Sequence, residues 1–243
     1  MAGRSIFEKS GTAGAIINQG SIRTLDGGYV AFIAPKVTNE GSIITPKGTT
    51  ALAAGDKVSL DFTGDRLVTF TVDQGAIDAL AENKGLVKAD GGLVVMTAKA
   101  ADSLTSAVVN NDGVIEARTI ENRAGKILLI SDMEYGETVI GGKLDASAPN
   151  GGDGGFIETS AAKVTVKENA RVYTLSAMGK GGLWLIDPND YTIAAAGNIS
   201  GATLASNLQG GDITIDTTVQ GTGGGNGDIF INDNINVVDG TAH

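Results

Sequence analysis

The stretch Asn18-Gln19-Gly20-Ser21-Ile22 returns as Asn39-Glu40-Gly41-Ser42-Ile43, a shift of 21 positions. The next residues keep step: Gly27-Gly28-Tyr29-Val30-Ala31-Phe32-Ile33-Ala34 aligns with Gly48-Thr49-Thr50-Ala51-Leu52-Ala53-Ala54. Looser copies begin at Asn83-Lys84-Gly85-Leu86-Val87 and Asn111-Asp112-Gly113-Val114-Ile115. Each unit reads as Asn-x-Gly, a short β run, a glycine-bearing corner and a second apolar β run. Units of this kind cannot bury an apolar face alone; stacked, they form the coils of a parallel β-helix. Asn18 and Asn39 then fall on one corner, where stacked amides hydrogen-bond into a ladder. Small residues such as Ala31, Ala34, Ala51 and Ala53 suit a narrow interior.

Outward from these repeats the strand grammar continues. Ile127-Leu128-Leu129-Ile130, Lys163-Val164-Thr165-Val166, Leu183-Trp184-Leu185-Ile186, Asp212-Ile213-Thr214-Ile215 and Asp228-Ile229-Phe230-Ile231 are short and β-branched, with Asn, Asp and Gly at their ends. Two segments break the rhythm, at about 73–82 (DQGAIDALAE) and 98–109 (AKAADSLTSAVV). Their alanines and apolar spacings of three and four predict short helical inserts, and they are the expected contact elements. Residues 1–196 are thus expected to form coils with these inserts. Residues 197–243, with the glycine tract Gly221 to Gly227, are expected to form less regular coils or to start a new repeat class. Roughly ten coils at about 4.8 Å each would make a rod of about 50 Å.

Composition narrows the chemistry. The 243 residues include 36 Gly, 4 Pro, no Cys and one His, His243, with a net charge of −10. Without cysteine there is no disulfide, thiolate metal site or cysteine nucleophile in the chain. That single histidine, at the last position, argues against a Ser-His-Asp triad and excludes a multi-histidine metal site within the chain. The acidic balance argues against nucleic acid and anionic membranes, which need clustered Lys and Arg. No basic and apolar leader opens the sequence, and no run approaches the roughly 20 apolar residues of a membrane helix.

The stretch from Gly28 through Val37-Thr38-Asn39-Glu40-Gly41 resembles the repeats of filamentous-haemagglutinin-type exoproteins. ALAAGDKVSLDFTGD (Ala51 to Asp65), SAPNGGDGGFIETSA (Ser147 to Ala161) and GLWLIDPNDYTIA (Gly182 to Ala194) are similar to signature stretches of the same family. The likeness runs from about Phe7 to Ala194. It implies a right-handed parallel β-helix, secreted from or displayed on a Gram-negative bacterium through a two-partner secretion pore in the outer membrane. Members include virulence-associated adhesins, haem-acquisition proteins and stalks that carry toxin tips. The secretion domain of the family carries Asn-Pro-Asn-Gly motifs. None occurs here, which implies an internal region just after that domain. The expected role is cell adhesion, in which a rod presents loops to a host or matrix glycan or protein. A stalk that binds nothing itself, and a polysaccharide lyase or hydrolase, are the alternatives.

Individual side chains favour the non-catalytic reading. Asp187-Pro188-Asn189-Asp190 is the densest acidic turn, but Pro, Asn and Asp are also what a tight corner requires. Trp184 reads as a packing anchor rather than a sugar platform. Asn150-Gly151-Gly152-Asp153-Gly154-Gly155 has its Asp at the wrong offset for the calcium nonapeptide, and Asp61 with Asp65 offers a calcium site without further support. Gly179-Lys180-Gly181-Gly182 lacks phosphate-loop spacing. Lys163, Lys167 and Arg171 read as a solvated face. Asp26 stands one repeat from Lys47 rather than from a second acid. No catalytic, cofactor or metal residue is therefore assigned, and no cofactor is expected.

Overall fold

The computed structural model describes residues 3–12, 14–62, 68–217 and 224–237. Three parallel sheets run along one axis and wrap a common interior. The first stacks Ala15–Asn18, Lys36–Asn39, Ala79–Asn83, Ala107–Asn111, Gly136–Ile140 and Lys163–Val166. The second stacks the three-residue strands Ser21–Arg23, Ser42–Ile44, Leu86–Lys88, Val114–Glu116, Lys143–Asp145 and Arg171–Tyr173. The third is longer: Tyr29–Ala34, Thr49–Ala54, Leu93–Ala98, Lys126–Ile130, Phe156–Ser160, Leu183–Asp187 and Asp212–Ile215. This is a parallel β-helix. Its longest sheet has seven strands, which at about 4.8 Å per step span about 30 Å, shorter than the rod expected from a strict short repeat.

Register turns each inward position into a column. On the third sheet Phe32, Leu52, Met96, Leu129, Thr159, Ile186 and Ile215 lie in line. On the second, Ile22, Ile43, Val87, Ile115, Leu144 and Val172 do the same. Most of these side chains are fully buried, and each contributes about 1.5–3 kcal/mol by leaving water. Trp184 sits in the interior with its indole N–H on Thr159 Oγ1 at 3.0 Å, which makes it the expected anchor.

Stacking also dictates the glycines. At Gly41, Gly85 and Gly113 a Cβ would overlap the carbonyl oxygen of the corresponding glycine one coil earlier. The same holds at the other corner for Gly48, Gly92, Gly155 and Gly182. Close coil-to-coil approach, more than backbone freedom, explains why the repeat carries glycine there.

Three expectations change. The segments at 73–82 and 98–109 contain no helix. The first ends the strand Val68–Gln74 and runs through a turn into Ala79–Asn83, and the second is a turn leading into Ala107–Asn111. Their alanines are inward rungs: Ala76, Ala79, Ala81, Ala98, Ala100 and Ala107 are all buried, where coil pairing overrides helix propensity. The extra length is instead an antiparallel hairpin, Lys57–Phe62 with Val68–Gln74, to which Gly3–Glu8 adds a third strand. It lies on the outside of the third sheet and covers Ala31, Ile33 and Ala53 with Val58, Leu60, Val68 and Val72. Ala31, Ala51 and Ala53 thus face outward under the hairpin, not into the helix interior. Past residue 197 Asp212–Ile215 still adds a rung to the third sheet, and the described residues there also include a helix that was not expected, Gly201–Leu208, N-capped by Ser200. It occupies the place of the next short strand, and Asn207 Oδ1 accepts the Val172 amide at 2.8 Å. Gly221 to Gly223 and His243 lie outside the described residues.

Candidate functional site

The Asn corner is the most ordered polar feature. Asn18 donates to Asn39 Oδ1 (2.7 Å), Asn39 to Asn83 Oδ1 (2.8 Å) and Asn83 to Asn111 Oδ1 (2.8 Å). Asn111 ends the column by donating to the Gly141 carbonyl at 2.9 Å, since Ile140 takes the next rung. The expected ladder is present and runs through two further coils.

Charged side chains are consumed in pairs. On the second sheet Lys88, Arg118 and Lys143 interleave with Asp90, Glu116 and Asp145 at 2.8–3.6 Å. Asp145 would be raised by its burial, but Lys143 and Ser147 outweigh this and hold it below the usual carboxylate range. Lys163 pairs with Glu137, and Lys167 with Asp112. Arg171 donates to the carbonyls of Glu168 and Ala170. Lys47 reaches Asp26 at 3.7 Å, as the repeat spacing predicted.

The acidic turn separates into two unlike groups. Asp190 Oδ1 accepts the amides of Asn226 (2.8 Å) and Asp228 (2.9 Å), and these backbone donors lower its pKa. Asp187 is pushed the other way by burial and by the neighbouring charges of Asp216 and Glu158, and its Oδ1 has no hydrogen-bond partner. Asp190 is a structural clamp on the glycine-rich loop. Asp153 Oδ1 accepts the Lys180 amide at 2.9 Å, so the glycine segments around 150 and 180 brace one another. Asp65 lies outside the described residues.

Two features have recognition character, and the first was not read from the sequence. Between the hairpin and the third sheet, Phe70 and Val72 face Leu93, Val95, Leu128 and Ile130 across an apolar groove of about 310 Å³. The alternation Val68-Thr69-Phe70-Thr71-Val72 carried that signal. The second is a pair of apolar tips on neighbouring coils, at the corners expected to be contact elements: Ile77 is 70% exposed and Leu104 94%. Asp102 fixes the latter turn by accepting the Leu104 amide at 2.9 Å, while its own amide donates to Thr105 Oγ1 at 3.0 Å.

A family model described as the TPS secretion domain matches residues 1–146. Lacking an Asn-Pro-Asn-Gly motif, the chain was expected just beyond that domain; the match extends over the repeat framework and lies within it. Among solved structures, the HMW1 secretion domain from Haemophilus influenzae matches with a TM-score of 0.63 and 22% identity, over 94% of this chain and 66% of that one. No curated protein sequence is a significant match.

Proposed function

This chain belongs to the TPS secretion domain family, and from that membership we propose that it is the β-helical part of a surface adhesin that presents corner loops to a host or matrix ligand. Family membership means export by two-partner secretion to the cell surface or extracellular space, with an outer-membrane transporter as the export partner. The adhesive reading goes further and is carried by one observation. Ile77 and Leu104, large apolar side chains on short turns at adjacent corners, stand exposed where a solitary solenoid gains nothing from them. A turn already fixed by hydrogen bonds loses little entropy on binding, which favours recognition. The non-catalytic reading is supported by Asp190, one of the two acids of the candidate turn, whose carboxylate is occupied by backbone amides.

The test is an array of glycans, matrix proteins and haem-carrier proteins probed with the purified chain, with product release followed on the polysaccharides. Saturable binding that weakens at least about tenfold in Ile77→Ser/Leu104→Ser is the expected result. Binding indifferent to both substitutions moves the contact elsewhere. No binding at all turns the chain into a stalk, and product release overturns the non-enzymatic reading.

A further inference from the structure

The chain contains two Asn-Gly pairs, Asn150-Gly151 and Asn226-Gly227, and both asparagines are exposed. An Asn-Gly pair can close on itself. The glycine nitrogen, once it has lost its proton, bonds to the asparagine Cγ; the Cγ–Nδ2 bond breaks and ammonia leaves. Water then opens the cyclic imide to aspartate or isoaspartate. Glycine permits the approach because no Cβ stands in the way. The two pairs differ in how the attacking nitrogen is held.

At the first pair the Asn150 side chain makes no hydrogen bond among the described residues. The Gly151 amide has only the Ala148 carbonyl, 3.4 Å away, at the outer limit of a hydrogen bond. Gly151 and Gly152 have φ of 105° and 84°, a backbone region that side-chain-bearing residues rarely adopt. At the second pair Asp190 Oδ1 takes the amides on either side of Gly227, those of Asn226 at 2.8 Å and Asp228 at 2.9 Å, and so pins the backbone around the attacking nitrogen. A carboxylate bound to both flanking amides sets a negative charge beside the Gly227 nitrogen, which opposes loss of its proton, and restrains the rotation that would bring that nitrogen to the asparagine Cγ. The four ladder asparagines are buried, and Gln19, Glu40, Lys84 and Asp112 follow them.

We propose that Asn150-Gly151 is a self-modifying site that deamidates in the folded protein, and that the Asp190 nest protects Asn226-Gly227 from the same reaction. Conversion at Asn150 adds a negative charge, and isoaspartate adds one backbone carbon to a corner tied to the next coil through Ser176 Oγ on the Gly152 carbonyl at 2.6 Å. The site is thus a timer written into a rung-to-rung contact.

The experiment incubates the whole folded chain in mildly alkaline buffer and follows amide-to-acid conversion at each asparagine by peptide mass mapping with isoaspartate detection. Asn150 is expected to convert about tenfold or more faster than Asn226, because holding Gly227 between two anchored amides lowers the population that can reach the asparagine Cγ. In denaturant the two rates should converge. Asp190→Ala should accelerate Asn226 while leaving Asn150 unchanged. Equal rates in the folded chain, or an unequal ratio that survives denaturation, overturns the proposal. Persistent protection of Asn226 in folded Asp190→Ala overturns the role given to the nest.

Discussion

Within the column of four amides, Asn39 both accepts from Asn18 and donates to Asn83. Asn39→Ala strands a donor on one side and a buried acceptor on the other, and a buried unpaired polar group costs about 1–3 kcal/mol. Denaturant unfolding should show a loss of that size, with Gln19→Ala as a near-silent neighbour. Asp187 carries the opposite sign. Its folded pKa is raised above 3.8 by burial and by the charges of Asp216 and Glu158, so ionisation opposes folding at neutral pH. Asp187→Asn should therefore raise the thermal midpoint at neutral pH. The gain should fade as pH falls through the folded pKa, because both forms are then neutral. Asn18 and Asn39 announced their ladder in the sequence because an amide that repeats at the coil interval, between apolar runs, meets its own copy on the next coil. Asp187 and Asp190 did not announce their difference. It depends on the loop at 226–228, brought to one of them and not the other by tertiary folding.

Among the elements, the corners carry the sharpest test. Gly20 and Gly41 occupy the same corner on successive coils, yet a Cβ at Gly20 meets nothing closer than Asn18 Oδ1 at 3.9 Å, while one at Gly41 overlaps the Gly20 carbonyl. Gly20→Ala should be tolerated, whereas Gly41→Ala should cost about 1–3 kcal/mol, as overpacking typically does, in a comparison of melting curves. The hairpin gives a second expectation. Replacing 57–74 by a short glycine linker uncovers Ala53 and the flanking apolar face, so the shortened chain should bind a hydrophobic dye and self-associate. The two segments expected as helices show where element reading fails. A narrow solenoid interior selects alanine, and alanine is also the best helix former; in Ala79-Leu80-Ala81-Glu82-Asn83 burial falls on every second residue, the mark of a strand. The real helix had a legible start, Ser200 followed by Gly201-Ala202-Thr203-Leu204, with Ser200 Oγ accepting the Thr203 amide.

For the whole molecule, the balance of charge predicts a simple pH response. Asp112, Asp145 and Asp190 all have folded pKa values lowered below 3.8 by their partners. Their stabilisation is complete above the unfolded value and is lost as pH falls through the folded ones. With His243 as the one histidine, a stability profile should be level across the neutral range and fall below about pH 4. The solenoid and its family were legible in the repeats because stacking forces like residues onto like positions. The number of coils was less legible, since Asn18 to Asn39 spans 21 residues but Asn39 to Asn83 spans 44 and Asn83 to Asn111 spans 28. Loops of any length fit outside a corner without disturbing the rungs within.

The amide column has a direction as well as a position. Every Asn donates toward the later coil, so the four dipoles point one way. Rotating one amide alone would set oxygen against oxygen and NH₂ against NH₂, which leaves only two consistent arrangements, all forward or all reversed. Backbone groups choose between them. The Gly20 amide can only give a hydrogen bond and meets Asn18 Oδ1, and the Gly141 carbonyl can only receive one and meets Asn111 Nδ2. The column is a one-dimensional ferroelectric with both terminals wired to the same polarity, and carbonyls along its length agree with them: Asn39 Nδ2 also reaches the Gly41 and Leu86 carbonyls, and Asn83 Nδ2 the Gly85 carbonyl.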